Sequence, residues 1–267
     1  HKGLNDCYPD VNTVGDMGLV PSNMELQLYP TLHEVRSGIL PKEIAVIGEG
    51  FIDGLKEFNS NMKVISAPAF RFQHLWKEKE NIFENGLYSI LVALPITFSE
   101  SKNIISKMID SCDYYTSNSI KCWIKPHPTM PIKKLKSKFF NKLPNSFEFT
   151  NIDTQIILRR SNILISGTSS ICLEAISLGI PVLVINQNKG LKYNPIPSDI
   201  NRDLWKNCNT TEDIINGINF FQKRNNNELG RHKNLAKKIK IKYFEPVSRQ
   251  GVLKLLEIEG ESKFEKN

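Results

Sequence analysis

Short runs of consecutive apolar residues recur along this chain, each closed by a turn former and followed by a segment with helical spacing. Apolar runs of this kind mark strands buried on both faces, and their alternation with helices predicts a mostly parallel sheet covered on both sides. The first unit joins a strand at 41–48, ending in Gly48, to helix-compatible residues 51–58 and a second strand at 62–67. A new series opens with a buried strand at 87–94 that runs into Pro95-Ile96-Thr97, followed by an amphipathic helix at 100–111. A strand at 120–124 then ends in Lys125-Pro126-His127-Pro128, and a basic helix at 132–140 leads to a short strand at 146–150. After a short helix at 153–160 comes the most regular stretch, 163–185: an apolar strand, the turn Ser166-Gly167-Thr168-Ser169-Ser170, a helix, and a second apolar strand launched by Gly179-Ile180-Pro181. Asn209-Thr210-Thr211-Glu212 reads as the cap of a helix over 212–223, and the remainder is basic and helical with an interruption at Pro246. Residues 1–40 carry turn formers and little periodicity.

This pattern predicts an α/β protein with Rossmann-like parallel sheets. The polar, aromatic and charged stretch at 70–86, with its Asn85-Gly86 turn, is the expected boundary between a reduced N-terminal domain, 1–84, and a C-terminal domain, 85–267. A length of 267 residues suits two moderate domains, and a chain that begins at His1 rather than Met reads as a piece of a longer protein. No apolar run approaches the roughly eighteen residues of a spanning helix and no signal-peptide pattern opens the chain, so a cytoplasmic, soluble segment is expected. The five cysteines are scattered, without a CxxC pair, and read as reduced thiols, with Cys122 and Cys172 in apolar patterns typical of core positions.

A net charge of +7 favours an anionic partner. Lysines cluster at Lys133, Lys134, Lys136 and Lys138 and again at Lys237, Lys238, Lys240 and Lys242. A solvated helical face is the plain explanation, and peripheral contact with the anionic inner face of the cell membrane is the sharper one. The basic runs lack interleaved aromatics or a recognisable motif, which argues against nucleic acid.

In an open parallel sheet, ligands bind beyond the carboxyl ends of the strands, and three polar loops follow strands directly. The loop at 95–101 supplies hydroxyls, Thr97 among them. The loop at 125–129 supplies Lys125 and His127, whose direction is restricted by the flanking prolines. The turn at 166–170 supplies Ser166, Gly167, Thr168, Ser169 and Ser170 at a helix start, where unpaired N–H groups receive an anion. Glu174, one turn into that helix on the side of Ser170, is placed to accept from a ribose or sugar hydroxyl. The combined groups fit a nucleotide phosphate. A general base is less evident; Glu49, after Gly48 at a strand end, is the leading carboxylate, with Asp53 and His33 behind it.

The set Lys125-Pro126-His127-Pro128, Ser166 to Ser170, Glu174-Ala175 and Gly179-Ile180-Pro181-Val182 resembles bacterial GT-B glycosyltransferases of surface polysaccharide synthesis, most of all sialyl-, polysialyl- and Kdo-transferase-like enzymes. The resemblance covers residues 87–190 well and 41–67 loosely. It implies that His127-Pro128 corresponds to the family's HP motif and Ser169-Ser170 to its SS motif, which bind the nucleotide and phosphate of a CMP-activated sugar. It further implies an inverting, metal-independent transfer to a polysaccharide or glycolipid acceptor, with no cofactor beyond the donor itself; no DxD pair follows a strand to suggest a metal. The family's acidic motif has only Glu49-Gly50 as a counterpart. Non-hydrolysing UDP-N-acetylglucosamine 2-epimerases share the later part of the signature, although their turn carries paired glycines and glutamates where this chain has Thr168-Ser169 and a single Glu174. A non-catalytic sugar-nucleotide-binding partner in glycan assembly is the alternative from another class, motivated by the missing base and the short N-terminal part.

Overall fold

A computed structural model describes residues 1–21, 29–77, 87–130, 132–139, 143–187 and 194–257. The expected Asn85-Gly86 turn and most of the expected boundary segment lie outside the described residues. The chain divides into two compact units, His1–Lys77 with Lys238–Asn267, and Glu78–Lys237. The chain after Lys237, placed with the second domain on sequence grounds, thus groups with the first unit.

In the first unit, β1 (Val14–Met17), β2 (Glu43–Val46) and β3 (Lys63–Ser66) form a three-stranded parallel sheet in the order β1-β2-β3. Helices α1 (Lys2–Cys7), α2 (Leu32–Arg36) and α3 (Ile52–Phe58) connect and flank it. Both β2 and β3 answer to predicted strands; β1 does not. Glu245 ties the returning chain to this sheet, its N–H donating to Ile47 O at 2.7 Å and its carbonyl accepting from Ala69 N at 2.8 Å. Gly48 and Gly50 have a packing reason: a Cβ on Gly48 would lie 2.4 Å from the Tyr243 backbone, and one on Gly50 2.5 Å from the Tyr243 ring.

The second unit holds a six-stranded, all-parallel sheet. Its strands are β4 (Ser89–Ala93), β5 (Lys121–Lys125), β6 (Phe147–Phe149), β7 (Ile163–Ser166), β8 (Val182–Ile185) and β9 (Trp205–Cys208), in the order β6-β5-β4-β7-β8-β9. The central strands β4, β7 and β8 are buried at every position, as their predominantly apolar sequences require, with Ser89 and Ser166 the polar exceptions. The chain builds outward from β4 through β5 to β6, then returns to the other side of β4 with β7 and builds outward again. That reversal is the switch point of a doubly wound sheet. Helices α4 (Phe98–Ile109), α5 (Cys112–Ser117), α6 (Ile132–Phe139), α7 (Thr154–Arg159) and α8 (Ile171–Ser177) occupy connections between strands, and α9 (Thr211–Gln222) follows β9. Ile104, Ile105 and Met108 of α4 pack with Ile90 and Val92 of β4 in the main core.

Helix α8 ends as its sequence requires. Gly179 adopts φ +76°, the Ile180 N–H donates to Ala175 O at 2.9 Å, and the Gly179 N–H donates to Ile176 O at 3.0 Å. This is a Schellman motif, followed by Pro181 and β8. Helices α10 (Asn226–Tyr243) and α11 (Arg249–Leu255) flank Pro246. Along α10, His232, Ala236, Ile239 and Tyr243 are buried while Lys233, Lys237, Lys238 and Lys242 are exposed, which is the solvated basic face. No helix among the described residues is long and apolar enough to cross a membrane.

Candidate functional site

The three polar loops picked out by sequence leave three adjacent strands. Ala93 at the end of β4 pairs with Lys125 of β5 on one side and with Ser166 of β7 on the other, so the loops depart from one level of the sheet edge. At two strand spacings, Lys125 and Ser166 stand about 10 Å apart across Ala93. The arrangement sits at the carboxyl edge and at the switch point, the place where open α/β sheets generally receive their ligands.

His127 is half-buried. Its Nδ1 lies 2.8 Å from Thr129 Oγ1 and accepts from the Thr129 N–H at 3.3 Å. A backbone N–H can only donate, so Nδ1 is an acceptor, and in the neutral ring the proton sits on Nε2. The local Pro-His-Pro-Thr sequence therefore orients the imidazole and sets its tautomer. Lys125 donates to Ile152 O at 2.7 Å, which engages one of its three N–H groups with the loop after β6.

Within the turn, the hydroxyls have different duties. Ser166, fully buried, donates to Ala93 O at 2.8 Å and so clamps β7 to β4 instead of facing a ligand. Gly167 makes room for a side chain of this protein: a Cβ there would lie 2.1 Å from Glu100 Oε1. Thr168 donates to the same Oε1 from its backbone N–H at 2.8 Å and from its hydroxyl at 2.7 Å. Ser169 is half-buried, Ser170 exposed and Glu174 half-buried. Ser170 occupies the N-cap position of α8 but makes no side-chain capping bond, so its hydroxyl is not spent on the helix.

Glu100 escaped the sequence analysis. The residue is 3% exposed, and besides the two bonds from Thr168 its carboxylate receives the Thr97 hydroxyl at 3.2 Å. Thr97 is thus engaged inside the site. The Thr97-Phe98-Ser99-Glu100 spacing is that of a capping box and was the available signal that Glu100 turns back toward the loop. Lys107 and Asn103 were missed as well. Lys107, 8% exposed, donates to Asn209 O at 2.6 Å, and Asn103 donates to Asn186 O at 3.3 Å. Burial lowers the Lys107 pKa.

Glu49 is exposed in the turn after β2 in the first unit, and Asp53 and His33 are exposed on α3 and α2. Cys122, Cys172 and Cys208 are buried, and burial pushes the Cys172 and Cys208 thiols up to about 12, so they are inert core residues. Among the described residues, no group of three or more His, Cys, Asp or Glu is arranged to hold a metal ion.

The parallel sheets, flanking helices and doubly wound order define an α/β, Rossmann-like protein of the GT-B-like class. No protein-family model and no curated protein matches the chain. Solved structures do. A putative UDP-N-acetylglucosamine 2-epimerase from Listeria monocytogenes aligns at TM-score 0.64 and 13% identity over 95% of this chain and 68% of its own. MnaA of S. aureus, solved with UDP, aligns at TM-score 0.57 and 16% identity over 97% of this chain and 73% of its own. A glycosyltransferase from Rickettsia africae aligns at TM-score 0.53 and 16% identity over 81% of this chain. The chain spans 62% of that glycosyltransferase and 43% of TarM. At these identities the likeness speaks for the fold.

Proposed function

We propose that this chain is a GT-B-type glycosyltransferase that takes a sugar from a nucleotide-activated donor and passes it to a surface polysaccharide or glycolipid acceptor. The observation that carries the proposal is the single register row of Lys125, Ala93 and Ser166, from which three polar loops rise together at the switch point of a parallel sheet. In this reading the donor phosphate lies among the His127 Nε2–H, the Lys125 ammonium and the Ser169-Ser170 end of the turn, and Glu174 accepts from a sugar or ribose hydroxyl.

The proposed reaction is inverting and metal-independent. The acceptor hydroxyl oxygen forms a bond to the anomeric carbon, and the bond from that carbon to the phosphate oxygen breaks with its electron pair going to the nucleotide. The hydroxyl proton passes to a base, for which Glu49 is the proposed residue. His127, Lys125 and the turn stabilise the charge that grows on the departing phosphate, an interaction strongest at the transition state and therefore one that raises the rate. The family resemblance favours a CMP-linked donor; a UDP-linked donor has its own support in the UDP held by the S. aureus neighbour. Peripheral contact with an anionic membrane through the exposed lysines belongs to the same proposal.

A second reading, a UDP-N-acetylglucosamine 2-epimerase, is favoured by one observation: the Listeria neighbour described in those words matches 95% of this chain. The two separate cleanly by NMR of the reaction mixture. Free nucleotide that accumulates from a CMP- or UDP-sugar only when a glycan acceptor is present supports transfer. Conversion of UDP-N-acetylglucosamine to its 2-epimer without an acceptor supports the epimerase. Neither product from any donor contradicts both.

A further inference from the structure

We infer that Glu100 is a positioning residue that holds the serine-rich turn in its ligand-receiving shape and restricts the ligand to the Ser169-Ser170 end, an inference that rests on the nucleotide reading above. Helix α4 carries Glu100, Asn103 and Lys107 at a spacing that lines them along one face. Together they reach three loops: Glu100 the turn after β7, Asn103 the carbonyl of Asn186 after β8, and Lys107 both that carbonyl and the carbonyl of Asn209 after β9. One polar stripe on one helix thus fastens three of the loops at the carboxyl edge.

Glu100 is the most committed of the three. A polar group 3% exposed is retained only when its partners satisfy it, and here Oε1 takes both the N–H and the hydroxyl of Thr168 while Oε2 takes the hydroxyl of Thr97. The latch has two consequences. It fixes the turn at the residue immediately before Ser169, with Gly167 providing the space. It also consumes the Thr168 amide and hydroxyl, and since the Ser166 hydroxyl is spent on Ala93, the turn's hydroxyls left for an anion are those of Ser169 and Ser170.

The test compares wild type, Glu100→Gln and Glu100→Ala by two readouts: hydrogen exchange at the Thr168 amide, and calorimetric titration with UDP and CMP. Gln keeps an acceptor oxygen, so Thr168 stays protected and the affinity of whichever nucleotide binds stays within about threefold, whereas Ala exposes Thr168 and weakens that affinity by roughly tenfold or more. A folded Glu100→Ala that binds like wild type, or a Glu100→Gln as impaired as the alanine, overturns the inference. Should Glu100→Ala fail to fold, Thr168→Val removes one arm of the latch, and an unchanged nucleotide affinity there overturns it equally. A Thr168 amide unprotected in the wild type sinks the latch itself. A protected Thr168 in a wild type that binds neither UDP nor CMP sinks the nucleotide reading and the ligand role of the turn with it.

Discussion

Gly167 and Glu100 form a pair in which each residue makes sense only through the other. The glycine's missing side chain is the space the carboxyl group occupies, and because Glu100 is held by Thr168 and Thr97 it has little freedom to give way. Gly167→Ala is therefore expected to destabilise the protein by about 1–3 kcal/mol and to weaken nucleotide binding in parallel. Chemical denaturation together with titration would check this, and a variant as stable as wild type would contradict it. His232 supports a separate prediction. Burial, and then the Arg224 guanidinium that donates to its Nδ1, pull its pKa down to about 4. The folded imidazole is neutral near neutral pH, while the unfolded chain takes up this proton below about 6.5. Between those values the unfolded state holds more protons, so stability is fully present above about 6.5 and falls as the pH drops toward 4, by on the order of 3 kcal/mol from this residue. Urea unfolding between pH 4 and 7 should show a shallower acid-side loss in His232→Phe than in wild type; identical pH profiles would argue against the assignment. At this scale His127 was legible because two prolines announce a directed side chain. Glu100 was not, because its role depends on a turn far along the chain that periodicity cannot bring near.

Among the elements, the strands buried on both faces were the easiest to read. Residues 87–94 and 163–185 contain β4, β7 and β8 because an unbroken apolar run has few other stable destinations. Two strands were missed for the complementary reason. In β9, Trp205 and Cys208 are buried but Lys206 and Asn207 lie between them, a composition tolerated at the edge of a sheet. In β1, also an edge, Gly15 and Asp16 interrupt any alternation, and a Cβ on Gly15 would meet Pro41 at 2.7 Å. Caps were more dependable than edges. Thr210 and Asp213 form a full capping box at the start of α9, and Thr210→Ala should cost about 1 kcal/mol. Gly179→Ala should cost about 1–2 kcal/mol, since its φ of +76° places a Cβ against the carbonyl in the left-handed region. Thermal or urea unfolding of the two variants would read both costs, and a Gly179→Ala as stable as wild type would contradict the cap geometry.

For the whole molecule, the central claim is that the carboxyl edge of the six-stranded sheet receives a nucleotide. The fold class was legible because strand and helix periods alternate plainly between residues 87 and 185. The nucleotide's identity was not, because base recognition depends on contacts that no spacing of apolar residues encodes. The most direct measurement is a calorimetric titration of UDP, CMP and their sugar conjugates into the folded wild type and His127→Ala. The account predicts saturable binding of at least one of them to the wild type, weakened by roughly tenfold or more in the variant, since the oriented Nε2–H is then lost. Equal affinity in the two proteins, or no binding to a folded wild type, would contradict it.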